Sequence, residues 1–299
     1  MMNRLFKKMR LGLMALALAG LALASSATAD VALQDGLIGY WAFDEGVGTT
    51  VADSIGGANG TVTGGTWATG KFNGGFDHYD YWGTPDGVAI GNPASLDIAT
   101  NAVTLSTWVY LPTMPEFQPE AFVGIYDSLA DGYGMYLDRT RKEIRMKVTS
   151  VRDPLPGETP SVWGDIQVGY ARAGVDQANL TLNTWHHVVG TFDGTYVKMY
   201  CDGQLMSTVG LNAVGEKLRV GQYASMGYEM ADPGAATPAD RYAWDGKMDD
   251  TAIWNRALNA NEIAYLYNEG TGRTVTSTNP IITPPDPPSP TLPNPVVHW

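Results

Sequence analysis

The chain has 299 residues with 44% apolar side chains, enough for one large or two small globular domains with a buried core. Only 17% of its residues are charged, against about a quarter in an ordinary soluble domain, and 35 are glycine. This composition favours strands and turns over helices. The net charge of −12 argues against nucleic acid as a partner. The single cysteine, Cys201, excludes an intrachain disulfide and a site built from several cysteines, of the zinc or iron–sulfur kind.

The first 29 residues have the pattern of an export signal. Basic residues in the first ten positions precede an apolar run from Leu11 to Ala24, and Ala27-Thr28-Ala29 follows. The run is shorter than the ~20 residues that a helix needs to cross a bilayer, so the pattern predicts a cleaved signal peptide. We therefore expect a mature chain that begins at Asp30, has no membrane span and is secreted, either outside the cell or into a periplasm.

The other end of the chain, residues 271–299, is predicted to be an extended tail. Eight of the last 21 residues are proline. Proline fixes φ and offers no backbone donor, so such a segment adopts a polyproline-like conformation without a core. The folded domain is accordingly predicted over residues 36–270.

Apolar and polar residues alternate with a period of two in many short runs of this domain. The clearest apolar faces are those of Val103, Leu105, Thr107 and Val109; of Ile144, Met146 and Val148; of Val197, Met199 and Cys201; and of Leu218 and Val220. This period is typical of half-buried antiparallel strands. Asp193-Gly194 and Asp202-Gly203 stand between such runs and predict tight hairpins, because the type I′ turn requires positive φ at both central residues.

One helix is predicted near the end of the domain. Asn259 and Glu262 have the spacing of a capping box, Ile263 and Leu266 begin an apolar stripe, and Gly270 follows as a stop. Many short strands and one short C-terminal helix predict an all-β fold, a two-sheet antiparallel sandwich.

Four blocks of sequence carry a resemblance to a known family. They are residues 39–54 with Asn59-Gly60-Thr61, residues 70–72 with 76–77, residues 185–194 with 200–203, and residues 246–258 with the helix to Tyr267. In this order they resemble a bacterial laminin-G-like jelly-roll domain over residues 36–268. The resemblance implies the concanavalin A-like sandwich of laminin G domains, pentraxins, legume lectins and several glycan-active enzymes. The long loops 114–119, 151–163 and 223–244 depart from a minimal domain, and binding residues concentrate on such loops.

The resemblance also implies that a structural calcium ion is present, since calcium is frequent in this fold. It places the first and last strands side by side, which would bring Asp44 or Asp53 near Asp249. Calcium requires six to eight oxygen ligands, so Asp44, Asp53 and Asp249 are the candidate ligands. The alternative is that Asp249 accepts amide hydrogen bonds from the loop 53–59. Both interpretations stay open at this point.

Catalytic patterns are weak in the sequence. The Glu-x-Asp-x-x-Glu spacing of glucanases with this fold is missing. Arg141, Glu143 and Arg145 loosely resemble the Arg-x-Glu-x-Arg strand of alginate lyases, but the Gln-Ile-His element of those enzymes is missing too, which favours an ordinary solvated strand.

His186 and His187 are neighbours in a strand and face opposite ways, so they should not share a metal. Cys201 is predicted to be an inert buried thiol.

Aromatic residues in turn-rich segments suggest a surface for sugars. Rings of this kind line ligand sites, and neighbouring Asp and Asn side chains would bind hydroxyl groups. The candidate ligand-binding residues are Tyr81, Trp82, Trp163 and Trp244.

Three functions are compatible with these patterns. The first is an exported, non-catalytic recognition module for a glycan or a cell-surface protein, acting in carbohydrate binding or adhesion. The second is a polysaccharide-active enzyme, a lyase or glycosidase, on the same sandwich. The third is a structural protein of the cell surface or matrix.

Overall fold

The computed structural model describes residues 33–78, 87–98, 100–113, 120–128, 131–138, 141–159, 166–176, 179–211, 217–218, 223–228 and 244–276. The predicted signal peptide and all but the first six residues of the predicted tail lie outside these ranges. The described strands, in chain order, are β1 (Leu37–Trp41), β2 (Thr50–Val51), β3 (Gly60–Val62), β4 (Thr66–Thr69), β5 (Gly74–His78), β6 (Val88–Gly91), β7 (Val103–Tyr110), β8 (Glu120–Ser128), β9 (Asp131–Asp138), β10 (Glu143–Arg152), β11 (Ile166–Asp176), β12 (Trp185–Phe192), β13 (Tyr196–Cys201), β14 (Gln204–Gly210), β15 (Lys217–Leu218), β16 (Tyr223–Met226) and β17 (Gly246–Trp254).

The strands form two antiparallel sheets, as predicted. The first sheet has the order β14-β13-β12-β7-β17-β5-β4, and β1 also pairs with β17. The second has the order β11-β10-β9-β8-β16-β6-β3-β2, and β15 pairs with β10. The first and last strands of the domain are therefore neighbours, which confirms the expectation taken from the resemblance.

The main core fills the space between the two sheets. Its largest fully buried side chains include Trp41, Phe76, Phe122 and Phe192. Apolar faces predicted from the period of two point into it, among them Ile144, Met146 and Val148 of β10 and Val197, Met199 and Cys201 of β13. Burial of apolar area on this scale is the main source of stability for a sandwich.

A second, smaller core lies on the outer side of the first sheet, beneath helix α1 (Ala260–Tyr267). The predicted capping box is present, because the Asn259 side chain accepts from the Glu262 amide and the Glu262 carboxylate accepts from the Asn259 amide at 2.7 Å. Ile263 and Leu266 of the helix pack against Trp254 of β17. Among the described residues there is no helix long and apolar enough to span a bilayer.

The two Asp-Gly hairpins differ from each other. Asp202 and Gly203 have φ of +51° and +76° and form the two-residue turn that was predicted between β13 and β14. At Asp193-Gly194 only the glycine has positive φ, and three residues separate β12 from β13. The Asp193 carboxylate explains the difference, because it accepts from the amides of Thr195 and Tyr196 and so stabilises a longer loop.

Candidate functional site

Two consecutive aspartates of β17 lie inside the protein because the strand pairing shifts there. Asp249 is opposite Trp108 of β7, whereas Ala252 is opposite Ser106, so two residues of β17 face one residue of β7. Asp250, in this bulge, has φ of +52°. A bulge interrupts the alternation of side chains along a strand. As a result Asp249 and Asp250 are only 0% and 5% exposed.

Asp249 faces the tight turn between β4 and β5. Its Oδ2 accepts from the amide of Phe72 at 2.8 Å, while its Oδ1 is buried with no hydrogen-bond partner. The turn requires glycine at position 70, since a Cβ there would lie 1.6 Å from the carbonyl oxygen of Gly74 and 2.6 Å from Asp249 Oδ2. The resemblance block that starts at Gly70 therefore builds the wall of this site.

Asp250 and Asp44 complete an acidic cluster with Asp249. The hydroxyl of Tyr40 in β1 donates a short hydrogen bond to Asp250 Oδ1. Asp44 Oδ1 accepts from the amide of Gly74 at 2.8 Å, so Asp44 and Asp249 hold the same turn from two directions. We use the term acidic cluster for Asp44, Asp249 and Asp250.

Burial gives two of these carboxyl groups unusual affinities for protons. It raises the pKa of Asp249 to about 8, opposed by the Phe72 amide and reinforced by the charge of Asp250. Burial likewise raises the pKa of Asp250 to about 7, opposed by the Tyr40 hydroxyl and reinforced by Asp44. The pKa of Tyr40 is raised by burial and by the carboxylates around it. Strongly perturbed groups of this kind are concentrated at functional sites.

Asp53 is not part of this cluster, and the prediction that it is a metal ligand is wrong. Its Oδ1 accepts from the amides of Tyr40, Ile55 and Gly56, and its Oδ2 accepts from those of Gly56 and Ala58. The carboxylate is thus fully engaged in shaping its own loop. The alternative proposed for Asp249 is also wrong in its details, because Asp53 takes the amides of this loop and Asp249 takes that of Phe72.

The oxygen atoms of the acidic cluster are of the type that binds calcium, but no more than two of its carboxylates can ligate the same ion. The buried Asp249 Oδ1 without a partner is a hard oxygen of the type that calcium binds. Of the described residues, however, only His186, Cys201 and Asp202 form a set of three metal-ligating side chains whose atoms all lie within 4.8 Å of one another. The cluster therefore offers no more than two carboxylates to one ion, and carbonyl groups and water would supply the remaining ligands.

Trp244 belongs to the core, so the prediction that it contacts a ligand is wrong. Its side chain is 0% exposed and packs edge-on against Phe122, with 4.4 Å between the ring centroids. Trp244 stands two residues before the start of β17. The other three predicted ligand-binding residues, Tyr81, Trp82 and Trp163, lie outside the described residues.

The arginines near the start of β10 form ion pairs with carboxylates of β9 and β10. Arg145 lies 3.0 Å from Asp138 Oδ2 and 3.4 Å from Glu143 Oε2, and Arg141 lies 3.3 Å from the same oxygen of Asp138. Arginines held in this way have their charge matched by carboxylates of the same sheet. Arg141 is exposed as a solvated strand face requires, whereas the Arg145 side chain is only 12% exposed and is occupied by these ion pairs.

The fold and the site together define a class of protein: a two-sheet jelly-roll sandwich with two buried aspartates, Asp249 and Asp250, at a bulge of its last strand. The family model Laminin_G_3, of the concanavalin A-like lectin/glucanases superfamily, matches residues 82–264, more than half of the sequence. The chain belongs to this family. No curated protein sequence matches the chain.

Solved structures of similar fold include binding domains of bacterial toxins. The binding domain of Paraclostridial Mosquitocidal Protein 1 superposes with a TM-score of 0.55 at 15% identity, covering 80% of this chain and 53% of that one. The binding domain of botulinum neurotoxin serotype D gives 0.52 at 12%, with coverages of 78% and 52%. A Trypanosoma rangeli sialidase in complex with sialic acid gives 0.50 at 18%, with coverages of 80% and 34%. The chain spans about half the length of the toxin domains and a third of the sialidase.

Proposed function

We propose that the protein is an exported, non-catalytic binding module whose ligand is a carbohydrate. The observation that carries the proposal is the position of the acidic cluster. Asp249 and Asp250 have the raised pKa values expected of acid–base catalysts, but they are 0% and 5% exposed behind the turn 70–74, where a sugar does not reach them. They can stabilise the fold around an ion while the loops bind the ligand.

The names of the similar structures support a binding role. Most of those described above are binding domains, and one botulinum neurotoxin binding domain was solved in complex with SialylT. Another was solved in complex with rat synaptotagmin II, so a protein ligand is the second candidate. A folded scaffold with long loops suits either ligand, because binding residues are commonly carried on loops.

The calcium ion is proposed as a structural component of this module, held by Asp44 and Asp249 of the acidic cluster. When bound, calcium would supply a positive charge beside Asp249, whose carboxylate burial otherwise pushes toward the neutral form. Asp44 and Asp249 would keep their hydrogen bonds to the amides of Gly74 and Phe72, which lie on the turn between β4 and β5. The ion would thereby fix this turn to β17.

The test of the binding role is a glycan array probed with the mature protein. Tyr81→Ala, Trp82→Ala and Trp163→Ala should each weaken the signal, because these positions carry the proposed stacking rings. Tyr196→Ala is the matched control, since Tyr196 is 47% exposed but starts β13 at a hairpin outside the aromatic loops. Equal binding by all four variants and the parent would overturn the proposed surface.

The enzyme alternative is tested on the same preparation. A lyase acting through Arg141, Glu143 and Arg145 would release unsaturated products from uronate polymers, and these absorb in the near ultraviolet. The ion pairs of Arg145 with Asp138 and Glu143 lead us to expect no such absorbance. Export is tested by the intact mass of the secreted chain, which should begin at Asp30.

A further inference from the structure

A second set of metal-ligating side chains lies at the far end of the first sheet, where β13 turns into β14. His186 and Cys201 lie on the same face of the sheet, because Cys201 pairs with Val188, two residues along β12 from His186. Asp202 follows Cys201, and its φ of +51° lets its side chain turn back toward β12. The nitrogen, sulfur and oxygen atoms of the three side chains lie within 4.8 Å of one another.

The hydrogen bonds of His186 leave room for two protonation states of the ring. Its Nδ1 lies 2.7 Å from Asp202 Oδ2. Its Nε2 lies 2.9 Å from the amide nitrogen of Thr181 and 3.1 Å from the carbonyl oxygen of the same residue. When Nε2 carries the proton it can donate to the carbonyl, and when it does not it can accept from the amide. Release of the Nδ1 proton therefore leaves Nε2 with a partner.

A histidine that ligates a metal generally donates its other ring N–H to a carbonyl or carboxylate, which orients the ring. The Thr181 carbonyl has the position required for this when Nδ1 is the ligating atom. The second oxygen of Asp202 is already oriented, because Oδ1 accepts from the amide of His187 at 3.0 Å. His186 and Asp202 thus each have one supporting contact, and their remaining donor atoms, Nδ1 and Oδ2, lie 2.7 Å apart in a hydrogen bond that a bound ion would replace.

We propose that His186 Nδ1, Cys201 Sγ and Asp202 Oδ2 form a binding site for a borderline divalent cation of the zinc class. Nitrogen, thiolate and carboxylate ligands together select zinc over calcium, which takes oxygen ligands alone. His186 and Cys201 are each 4% exposed, whereas the side chain of Asp202 is 30% exposed, so the ion would enter from the side of Asp202. Water would complete a four-coordinate site there.

Metal binding at this site has to displace the proton of the buried Cys201 thiol. Burial, with the neighbouring carboxylate of Asp202, raises the pKa of Cys201 to about 12, so the metal has to displace the thiol proton. Lys71 of the turn 70–74, His187 of β12 and Tyr267 of α1 are the other titratable groups that interact with Asp202. The ring of His187 lies on the opposite face, stacked on Trp108, and offers no ligand, although the His187 amide donates to Asp202 Oδ1.

The experiment titrates the purified, metal-free protein with zinc and, in parallel, with cobalt(II). Zinc should raise the melting temperature, and cobalt should give a thiolate charge-transfer band together with the visible bands of a tetrahedral site. Cys201→Ser should remove the charge-transfer band, and His186→Gln should weaken cobalt binding at least tenfold. Asp193→Asn, at the neighbouring Asp-Gly hairpin, is the matched control and should behave as the parent.

Two outcomes would overturn the proposal: no thiolate band in the parent, or cobalt binding by His186→Gln that is as tight as that of the parent. The first outcome is read from the spectrum of the parent alone. It therefore does not depend on whether Cys201→Ser folds. Calcium should not displace cobalt, which separates this site from the acidic cluster.

Discussion

Asp249 Oδ1 is a buried carboxylate oxygen without a partner, and it predicts how the protein responds to calcium. An ion that binds only the folded state stabilises it by RT ln(1 + [L]/Kd), about 2.7 kcal/mol at a hundredfold excess over Kd. Removal of calcium by a chelator should therefore lower the melting temperature by several degrees. Asp249→Asn should abolish most of this response in thermal melts with and without the chelator.

Asp53→Asn is the control for this experiment. Asp53 accepts five amide hydrogen bonds in its own loop, so its loss should lower the stability of the protein but leave the response to calcium intact. A melting curve that is indifferent to the chelator would remove the calcium proposal.

The same residues predict the dependence of stability on pH in the absence of calcium. The folded-state pKa values of Asp249 and Asp250, about 8 and 7, lie above the ordinary value of 3.8, so the folded state binds more protons between these limits. Their contribution to the free energy of unfolding is thus complete below pH 3.8 and falls as the pH rises through 7 and 8. Chemical denaturation of the metal-free protein should show this fall.

His187 acts in the opposite sense and has to be separated from this effect. Burial lowers its pKa to about 4, so its contribution decreases as the pH falls below 6.5. The difference between the parent and Asp249→Asn isolates the carboxylate, because both proteins retain His187. If the two proteins show the same slope between pH 5 and 8, the burial of Asp249 does not control its protonation.

The individual residues of the site could be predicted from the sequence only in part. Asp44 and Asp249 were predicted to lie together, and both hold the turn 70–74. Asp250 was missed, because a period of two sends it to the opposite face of the strand from Asp249 and a bulge is not visible in that period. Asp202 was missed for a related reason, since its left-handed φ turns its side chain back beside Cys201. Trp244 was misplaced because its neighbours in sequence have the composition of a loop.

At the scale of elements, α1 depends on its N-terminal cap. The helix has eight residues, too few to be stable alone, so its capping box and its packing on Trp254 have to hold it. Asn259→Ala removes the acceptor for the amides of Asn261 and Glu262 and should cost about 1 kcal/mol of unfolding free energy, as measured by denaturant titration.

Asn261→Ala is the matched control within the helix. It leaves the Asn259 side chain and the pair of Arg256 with Glu262 in place, and alanine favours the helix. Its stability should equal or exceed that of the parent. A loss as large as that of Asn259→Ala would show that the cap is not the cause.

Elements were predicted well where a local pattern determines them. The alternation in β7, β10 and β13 and the capping box of α1 depend on residues close together in the sequence, so the sequence identifies them directly. The one strand pairing that was predicted, of the first strand with the last, came from the resemblance instead, because a period of two does not specify which strand is adjacent. The Asp193 hairpin shows the limit of local rules, since its side chain selects a longer loop than the Asp-Gly signal predicts.

At the scale of the whole molecule, the first sheet is organised around its last strand. β17 pairs with β1, β5 and β7, and the acidic cluster lies in its bulge. A chain that ends before Gly246 therefore lacks the partner of three strands. We expect such a truncation to show no cooperative thermal transition, whereas one that ends after residue 276 should melt as the full-length protein does. Circular dichroism during heating measures both.

The late position of β17 also affects when the chain folds during synthesis. β1 is made early, but its partner follows more than 200 residues later, so the first sheet is incomplete until almost the whole domain has been made. Folds with such distant pairings form slowly. We therefore expect the first sheet to form only late in translation. That delay would suit a protein threaded through a membrane channel as an extended polypeptide, since the strand that closes its sheet is among the last segments to pass.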